Sequence, residues 1–279
     1  MGRLISYLKR GFKYIISEHK QPIIKVEAVQ KKPSEVFKDK VFIITGGGSG
    51  IGYQIAKRLI DENAKCIITG RNEEKLIEAQ KKLGNHCDFM VLDMTNVENF
   101  DSVIKEILKK YNRIDGLINN AGISLHEWDF MKVNEEKFDS QFLTNLRGGY
   151  FLTQSYIKHC IPKENERYKI LFISSERGTY VDDLPYGLTK ASINSLAKAL
   201  SVKYYKKGFN INVISPGVTA TEMTKISKDS DLYSNENSQR YFIPEEISEV
   251  ALFLLSDYSI CISGEVVHTN GGNHIRRGY

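Results

Sequence analysis

The stretch that decides the fold is residues 40–52, which read KVFIITGGGSGIG. The almost wholly apolar run Lys40–Ile44 is typical of a strand buried on both faces of a parallel sheet. Glycines follow it directly, and a helical pattern continues through Ile60. Glycines between a buried strand and a helix permit a tight turn and let the backbone approach a pyrophosphate at the positive end of the helix dipole. The stretch therefore predicts a dinucleotide-binding turn.

The alternation of strand and helix continues to the end of the chain. After the first strand, the sequence predicts strands near Cys66–Thr69, Phe89–Leu92, Gly116–Ile118, Ile170–Ile173, Ile211–Ile214 and Glu265–His268, with helical patterns between them. Strand and helix repeated in this way predict an α/β fold. We expect a Rossmann-like, doubly wound parallel sheet of about seven strands with helices on both faces, in three layers.

Composition narrows the class of protein. The chain has 279 residues and a net charge of +5, a length that suits one large α/β domain. No run approaches the roughly 18 uninterrupted apolar residues of a spanning helix, so we predict no transmembrane segment and a cytoplasmic location. The four cysteines are scattered without metal-ligand spacing, which favours reduced thiols and no metal site. Cys66 and Cys261 lie in apolar runs and are expected in core strands or in segments next to a strand.

The amino-terminal part is predicted to be an arm over residues 1–35, separate from a single domain over residues 36–279. Residues 1–40 carry ten basic and four acidic side chains, so the positive charge belongs to the arm, and the core is not expected to bind nucleic acid. Residues 1–17 have the spacing of a basic amphipathic helix. Such a helix either packs on protein or lies at the inner face of an anionic membrane as a peripheral contact, and both interpretations stay open.

A second informative stretch is residues 184–194, LPYGLTKASIN, in which Tyr186 and Lys190 lie four positions apart. Side chains at i and i+4 of a helix project from one face. A cation beside a phenol favours the phenolate and lowers its pKa, which would make Tyr186 an acid/base group. The same spacing is common on solvated helix faces, so the pair needs support from the rest of the chain.

That support is a set of motifs that resembles the short-chain dehydrogenase/reductase family in its common, shorter form. The motifs are TGGGSGIG at 45–52, NNAG at 119–122, Asn145, ISS at 173–175, Tyr186 with Lys190, and PG at 216–217. The resemblance covers residues 36–272 and leaves the arm outside. It implies an NAD(P)-dependent oxidoreductase that transfers hydride between C4 of the nicotinamide and a carbonyl or secondary alcohol.

The resemblance implies four catalytic residues. Tyr186 would exchange a proton with the substrate oxygen, and Lys190 would lower the pKa of Tyr186 and bind the nicotinamide ribose. Ser175 would hold the substrate oxygen and stabilise its developing charge. Asn145, within a helix, would hold a water that links Lys190 to solvent.

Ser174 competes with Ser175 for the active role. The family usually places a glycine three residues beyond its active serine, and Gly178 favours Ser175. The interval from Ser175 to Tyr186 is shorter than in most relatives, so the loop Glu176–Pro185 is trimmed and its substrate contacts cannot be transferred.

The resemblance also implies a set of cofactor-binding residues. They are Gly46, Gly48, Ser49, Gly50, Ile51, Gly52, Arg71, Asp93, Met94, Asn119, Ala121, Gly122, Tyr186, Lys190, Pro216, Gly217, Thr219 and Thr221. The second strand ends in ITGRN at 68–72, without the acid of NAD-preferring members. Arg71 can meet a 2′-phosphate, which favours NADP (NADPH), with NAD as the alternative. Ser49 argues against NADP, because many NADP-preferring relatives carry a base there.

The substrate pocket is expected between residues 123–130, 176–185 and 222–242. Polar and aromatic candidates for its wall are His126, Glu127, Trp128, Glu176, Arg177, Asp182, Asp183, Tyr233, Arg240 and Tyr241. They favour a hydroxylated or charged small molecule as the substrate. The alternatives are a sugar- or polyol-modifying reductase of envelope glycan synthesis, held at the membrane by the arm, and a non-catalytic NADP-binding scaffold. Resemblance implies a homodimer or homotetramer.

Overall fold

The computed structural model describes residues 35–163 and 166–275, so apart from Glu35 the predicted arm lies outside the described residues. Seven strands follow in order: β1 (Val41–Thr45), β2 (Lys65–Gly70), β3 (Cys87–Val91), β4 (Gly116–Asn119), β5 (Tyr168–Ile173), β6 (Phe209–Pro216) and β7 (Val266–Thr269). The α-helices are α1 (Gly50–Asp61), α2 (Glu73–Leu83), α3 (Phe100–Tyr111), α4 (Glu135–Gln141), α5 (Gly149–His159), α6 (Pro185–Tyr204) and α7 (Pro244–Leu255).

All seven strands are parallel and form one sheet in the order β3-β2-β1-β4-β5-β6-β7. The predicted fold class, a doubly wound parallel sheet, is confirmed. The order reverses direction between β1 and β4, and in such sheets ligands bind outside the carboxyl ends of the strands at this point. The predicted strand positions are right, while their ends differ by one to a few residues.

Successive residues of the central strands point to opposite faces of the sheet and build two cores. Phe42 and Ile44 pack on one side with α1, α2 and α7, whereas Val41 and Ile43 pack on the other side with α3, α5 and α6. Strands covered on both faces need continuous apolar sequence. This explains why the VFIIT run reads as a strand without polar alternation.

Two local features differ from expectation. The chain between α4 and α5 is a π-helical segment, Phe142–Gly148, and Asn145 lies in its middle. Cys66 is buried in β2, whereas Cys261 is exposed and lies before β7, so only Cys66 belongs to a core strand. Within residues 35–163 and 166–275, no helix is both long and apolar enough to span a membrane.

Candidate active site

The carboxyl edge of the sheet carries a cleft of about 470 Å³. It lies where the glycine turn after β1, the loop after β5 and the start of α6 approach the segment after β6. Its lining includes Ile51, Ser175, Arg177, Tyr186, Gly217 and Thr219. Motifs from three distant parts of the chain, near residues 46–52, 174–186 and 216–226, therefore meet at one edge, as a parallel sheet requires.

The glycine turn is fixed by the residues that follow β4. Asn120 donates its side-chain amide to the carbonyl oxygens of Thr45 (2.9 Å) and Gly46 (3.1 Å). A Cβ at Gly52 would lie 2.4 Å from Asn120 Nδ2 and 2.6 Å from the Gly46 oxygen, so only glycine fits there. Gly46 itself has φ +64°, a left-handed conformation that favours glycine. Asn120 was not among the predicted site residues, although its place within NNAG could have signalled it.

The turn and the first turn of α1 fit the pyrophosphate of a dinucleotide. Ser49 is the N-cap residue of α1, but its side chain makes no capping hydrogen bond within the described chain. The first N–H groups of the helix therefore keep their capacity to bind phosphate oxygens. Gly50 has φ +56° and packs against Thr221, which brings the segment after β6 to the same place.

The end of β2 presents a cation and no carboxylate. Arg71 is exposed directly after β2. The next residue, Asn72, caps α2 by accepting a hydrogen bond from the Lys75 N–H at 2.9 Å. Asp93 accepts bonds from the N–H and hydroxyl of Thr95, both at 2.8 Å; these bonds, assisted by the charge of Arg71, lower the pKa of its carboxyl group.

Three other predicted cofactor residues are buried or bonded to the rest of the protein. The Met94 side chain is buried in the core, so Met94 can meet a ligand only through its backbone. Asn119 is buried and donates to Thr153 Oγ1 at 2.9 Å, while its Oδ1 atom has no hydrogen-bond partner within the described residues. Ala121 donates its N–H to Thr45 Oγ1 at 3.0 Å and so belongs to the support of the turn.

The serines after β5 take different positions. Ser174 Oγ donates to the Lys190 carbonyl oxygen at 3.2 Å and is buried against α6. Ser175 and Tyr186 line the cleft together, and Ser175 acts on the Tyr186 phenol in the direction that lowers its pKa. A Cβ at Gly178 would lie 2.7 Å from the Lys190 carbonyl carbon, so this glycine lets the loop after Ser175 pack on α6. The structure thus places Ser175, and not Ser174, beside Tyr186.

Lys190 and Asn145 lie behind Tyr186. The buried Lys190 ammonium donates to the Ile173 carbonyl oxygen at 2.9 Å. Asn145 Oδ1 accepts from the N–H of Ile123 (2.8 Å), and Asn145 Nδ2 donates to the carbonyl of Ile123 (2.9 Å). A Cβ at Gly122 would lie 3.3 Å from Asn145 Oδ1 and 3.5 Å from Lys190 Nζ. All four predicted catalytic side chains are therefore grouped at the carboxyl edge of the sheet, and the π-helical segment positions the side chain of Asn145 there.

Burial is the main influence on the pKa values of Tyr186 and Lys190. Burial raises the pKa of the Tyr186 phenol, while the Ser175 hydroxyl and the charge of Arg177 act in the lowering direction. Burial lowers the pKa of the Lys190 ammonium to about 8. Loss of solvent dominates both groups, so the net direction of the Tyr186 pKa is upward. Lys190 Nζ lies 5.5 Å from the centre of the Tyr186 ring, and a lowering effect of Lys190 on the Tyr186 pKa stays a prediction.

The segment after β6 forms the far side of the cleft. Pro216, Gly217, Thr219 and Thr221 all line it, as the sequence analysis expected for cofactor residues. Thr224 Oγ1 donates to the Thr219 carbonyl oxygen at 2.8 Å, and the Thr221 N–H donates to Thr224 Oγ1 at 3.1 Å. These bonds fix the backbone that faces the glycine turn.

The predicted polar wall of the substrate pocket was largely wrong. Of the ten side chains proposed for it, only His126, Glu176 and Arg177 line the cleft. Trp128 and Tyr233 are exposed elsewhere. Apolar side chains that the prediction did not name, Val218, Met223 and Ile226, take part in the lining.

The fold and this edge define a class of protein, an oxidoreductase that uses a nicotinamide dinucleotide. A family model described as "Enoyl-(Acyl carrier protein) reductase" matches residues 46–274. The 3-oxoacyl-[acyl-carrier-protein] reductase FabG of Chlamydia trachomatis is 33% identical over 247 residues, which are 86% of this chain and 99% of the relative. The FabG protein of Escherichia coli is 29% identical, over 86% of this chain and 99% of its own length.

Solved structures agree with these matches. A 3-ketoacyl-(acyl-carrier-protein) reductase from Brucella melitensis, complexed with NADH, has a TM-score of 0.77 at 28% identity and covers 85% of this chain and 99% of its own. Levodione reductase has a TM-score of 0.78 at 27% identity, over 85% and 98% of the two chains. The chain belongs to the short-chain dehydrogenase/reductase family. The sugar-modifying and scaffold alternatives gain no support from these relatives.

Proposed function

We propose that this protein reduces the 3-oxo group of an acyl thioester to a secondary alcohol, with NADPH as the hydride donor. The observation that carries the proposal is that Ser175 and Tyr186 line one cleft together with the glycine turn, while Lys190 Nζ lies 5.5 Å from the centre of the Tyr186 ring. The substrate class rests on the names of the relatives, which act on 3-oxoacyl groups bound to a carrier protein. The apolar side chains of Val218, Met223 and Ile226 suit an acyl chain better than a sugar.

Each catalytic side chain has a role that its position permits. When bound, the dinucleotide supplies hydride from C4 of the nicotinamide to the carbonyl carbon. Tyr186 gives its phenolic proton to the carbonyl oxygen, which leaves a secondary alcohol. Ser175 donates a hydrogen bond to that oxygen while charge develops on it. Lys190 supplies positive charge behind the phenol, and Asn145 fixes the loop at Ile123 beside it.

NADPH is preferred over NADH because of the residues after β2. An acidic residue there would bind the ribose hydroxyls of NAD and repel a 2′-phosphate. This chain has Gly70, Arg71 and Asn72 instead, and Asn72 is used to cap α2. The exposed guanidinium of Arg71 is thus the group that can pair with the additional phosphate.

The experiment is a turnover assay on the full chain with NADPH, in which cofactor absorbance is followed. The substrates are a 3-oxoacyl coenzyme A thioester, the same acyl group on acyl carrier protein, a keto sugar and a small cyclic ketone. We expect reduction of the thioesters, with the carrier-bound form preferred, and none in Tyr186→Phe. Reduction confined to the sugar or the cyclic ketone would refute the proposed substrate while leaving the reaction class intact.

Assembly as a homodimer or homotetramer is proposed from the family resemblance. Large apolar side chains are exposed on the helices around the site, including Tyr150 and Phe151 on α5 and Leu188 on α6. Such a surface is typical of a face that another copy covers. Light scattering after size-exclusion chromatography tests this, and a monomer at micromolar concentration would contradict it.

The arm and the domain boundary remain proposals from the sequence. If residues 36–279 are one folded domain, a variant that lacks residues 1–35 keeps its melting temperature and turnover. If residues 1–17 bind an anionic membrane surface, only the full chain floats with anionic vesicles. Equal flotation of the two proteins would remove the basis for membrane contact.

A further inference from the structure

The trimmed loop between Ser175 and Tyr186 contains an ion pair that none of the proposed catalytic steps uses. Arg177 donates from Nε and Nη2 to the two carboxylate oxygens of Asp182, at 2.5 and 2.7 Å. Two parallel bonds of this kind fix the guanidinium plane as well as its position. The pair spans the loop, because Arg177 follows Ser175 by two residues and Asp182 precedes Tyr186 by four.

Asp182 anchors the pair on the first turn of α6. Its side chain is only 8% exposed, and its Oδ1 atom accepts the N–H of Leu184 at 3.0 Å. A Cβ at Gly187 would lie 2.1 Å from Asp182 Oδ2, so the carboxylate is packed directly against the helix. The position of Asp182 is therefore tied to the backbone on both sides of Tyr186.

Arg177 anchors the other end at Ser175. Its N–H donates to Ser175 Oγ at 3.3 Å, and its side chain lines the cleft together with Ser175 and Tyr186. The backbone of one residue thus contacts the serine, while the guanidinium charge acts on the tyrosine. This places a fixed cation in the lining of the cleft, together with Ser175 and Tyr186.

The other titratable groups around Tyr186 have hydrogen-bond partners of their own. Lys190, on the same helix, donates to the Ile173 carbonyl oxygen, and its Nζ atom lies 5.5 Å from the centre of the Tyr186 ring. Glu176 accepts hydrogen bonds from Tyr180 and Asn270. His126, across the cleft, contacts the Met223 carbonyl oxygen at 3.0 Å. The guanidinium of Arg177, which lines the cleft with Tyr186, acts on the phenol in the direction that lowers its pKa.

We propose that Arg177 is a positioning residue for the reaction: bound to Asp182, it holds Ser175 and Tyr186 in register across the trimmed loop and adds positive charge beside the Tyr186 phenol. The inference rests on the proposed role of Tyr186 and not on the identity of the substrate. The Arg177–Asp182 ion pair also explains how the trimmed loop can keep Ser175 and Tyr186, the residues at its two ends, in fixed positions. In alcohol oxidation, where Tyr186 must accept a proton, the charge increases the fraction of phenolate at neutral pH.

The direct test is a titration of the Tyr186 phenol without substrate. The full chain is labelled with carbon-13 at tyrosine Cζ, and Tyr186→Phe identifies the relevant signal among the 15 tyrosines. We expect Arg177→Gln to move the Tyr186 titration upward by about 0.5–1 pH unit, and Arg177→Lys to retain most of the wild-type position. Arg58→Gln, which removes a comparable pair with Glu249 far from the cleft, should leave it unchanged.

A second experiment separates the effect of the Arg177 charge from the effect of an ordered loop. Asp182→Asn keeps the cation but loses the ion pair, so the titration should not rise above that of the wild type, while the melting temperature falls. For oxidation of any alcohol the protein accepts, kcat/KM should rise with pH as Tyr186 loses its proton, and the midpoint of this rise should shift among the variants as the Tyr186 titration does. At pH values below the midpoint, Arg177→Gln should therefore have a kcat/KM about 3–10-fold lower than the wild type. An unchanged Tyr186 titration in Arg177→Gln, or an equal rise in Asp182→Asn, would overturn the inference. Failure of the wild type to reduce thioesters would refute the proposed substrate only.

Discussion

Lys190 and Lys169 are both buried, and burial lowers the pKa of each ammonium from its ordinary 10.5 to about 8. Lys190 lies in the active site, whereas Lys169 lies on β5 with no hydrogen-bond partner for its Nζ atom within the described chain. Methionine keeps much of the side-chain volume and removes the charge. We predict that Lys190→Met abolishes turnover and stabilises the fold, and that Lys169→Met stabilises the fold with turnover intact.

The size of the effect follows from the two pKa values. The difference between 10.5 and about 8, at 1.36 kcal/mol per pH unit, makes the charged ammonium cost about 3 kcal/mol in the folded state. Lys169→Met should recover most of this, about 2–3 kcal/mol in the free energy of unfolding. Lys190→Met should recover less, about 1–2 kcal/mol, because the Ile173 carbonyl oxygen loses its donor.

The sign of the pH dependence gives a sharper test. Below about pH 8 each lysine is protonated in both the folded and the unfolded state, so the full cost of burying its charge destabilises the wild type. Between about pH 8 and 10.5 the lysine has lost its proton in the folded state but keeps it in the unfolded state, so the stability of the wild type rises relative to that of the variant. The gap between wild type and Lys169→Met should therefore narrow from about pH 7 to about pH 10 in urea unfolding experiments. A gap that is constant with pH, or a Lys169→Met protein less stable than wild type at neutral pH, would refute the reasoning.

Three further predictions concern the site. Gly178→Ala should destabilise the fold by about 1–3 kcal/mol and reduce kcat, because the new Cβ would meet the Lys190 backbone. Gly70→Ala is the control, because a Cβ there would have its nearest neighbouring atom at 3.6 Å. Equal melting temperatures of the two variants would contradict the prediction. Arg71→Ala should lower kcat/KM for NADPH about 10–100-fold and leave NADH almost unaffected, whereas an equal loss with both cofactors would exclude phosphate recognition. Ser175→Ala should lower kcat about 10²–10³-fold, while Ser174→Ala, which removes only the bond to Lys190, should act mainly on stability. A larger loss of kcat in Ser174→Ala than in Ser175→Ala would show that Ser174 is the active serine.

The fold was predictable because the signals that decide it are local. The VFIIT run predicts β1 whatever surrounds it, and glycines directly after a buried strand restrict what the next turn can be. The spacing from Ser175 to Gly178 predicted which serine stands beside Tyr186, because the glycine is needed for close packing on α6. These features depend on short intervals in the chain.

The rest of the site depends on contacts between distant segments. Nothing near Asn145 in the sequence indicates a π-helical segment, which arises from how α4 and α5 join. The bonds from Asn120 to the glycine turn connect residues 74 and 75 positions apart. The direction of the Tyr186 pKa follows from burial, which i and i+4 spacing cannot report. The polar wall failed for the same reason, since composition does not show which side of a loop faces the cleft.

The central claim is that Tyr186 is the proton donor of a carbonyl reductase, and the most direct measurement is kcat and NADPH affinity of Tyr186→Phe beside the wild type. The account predicts that kcat falls by about 10²–10⁴-fold, since only the proton donor is removed. The dissociation constant for NADPH, from fluorescence titration, should stay close to that of the wild type. Turnover near the wild-type rate in this variant would contradict the account.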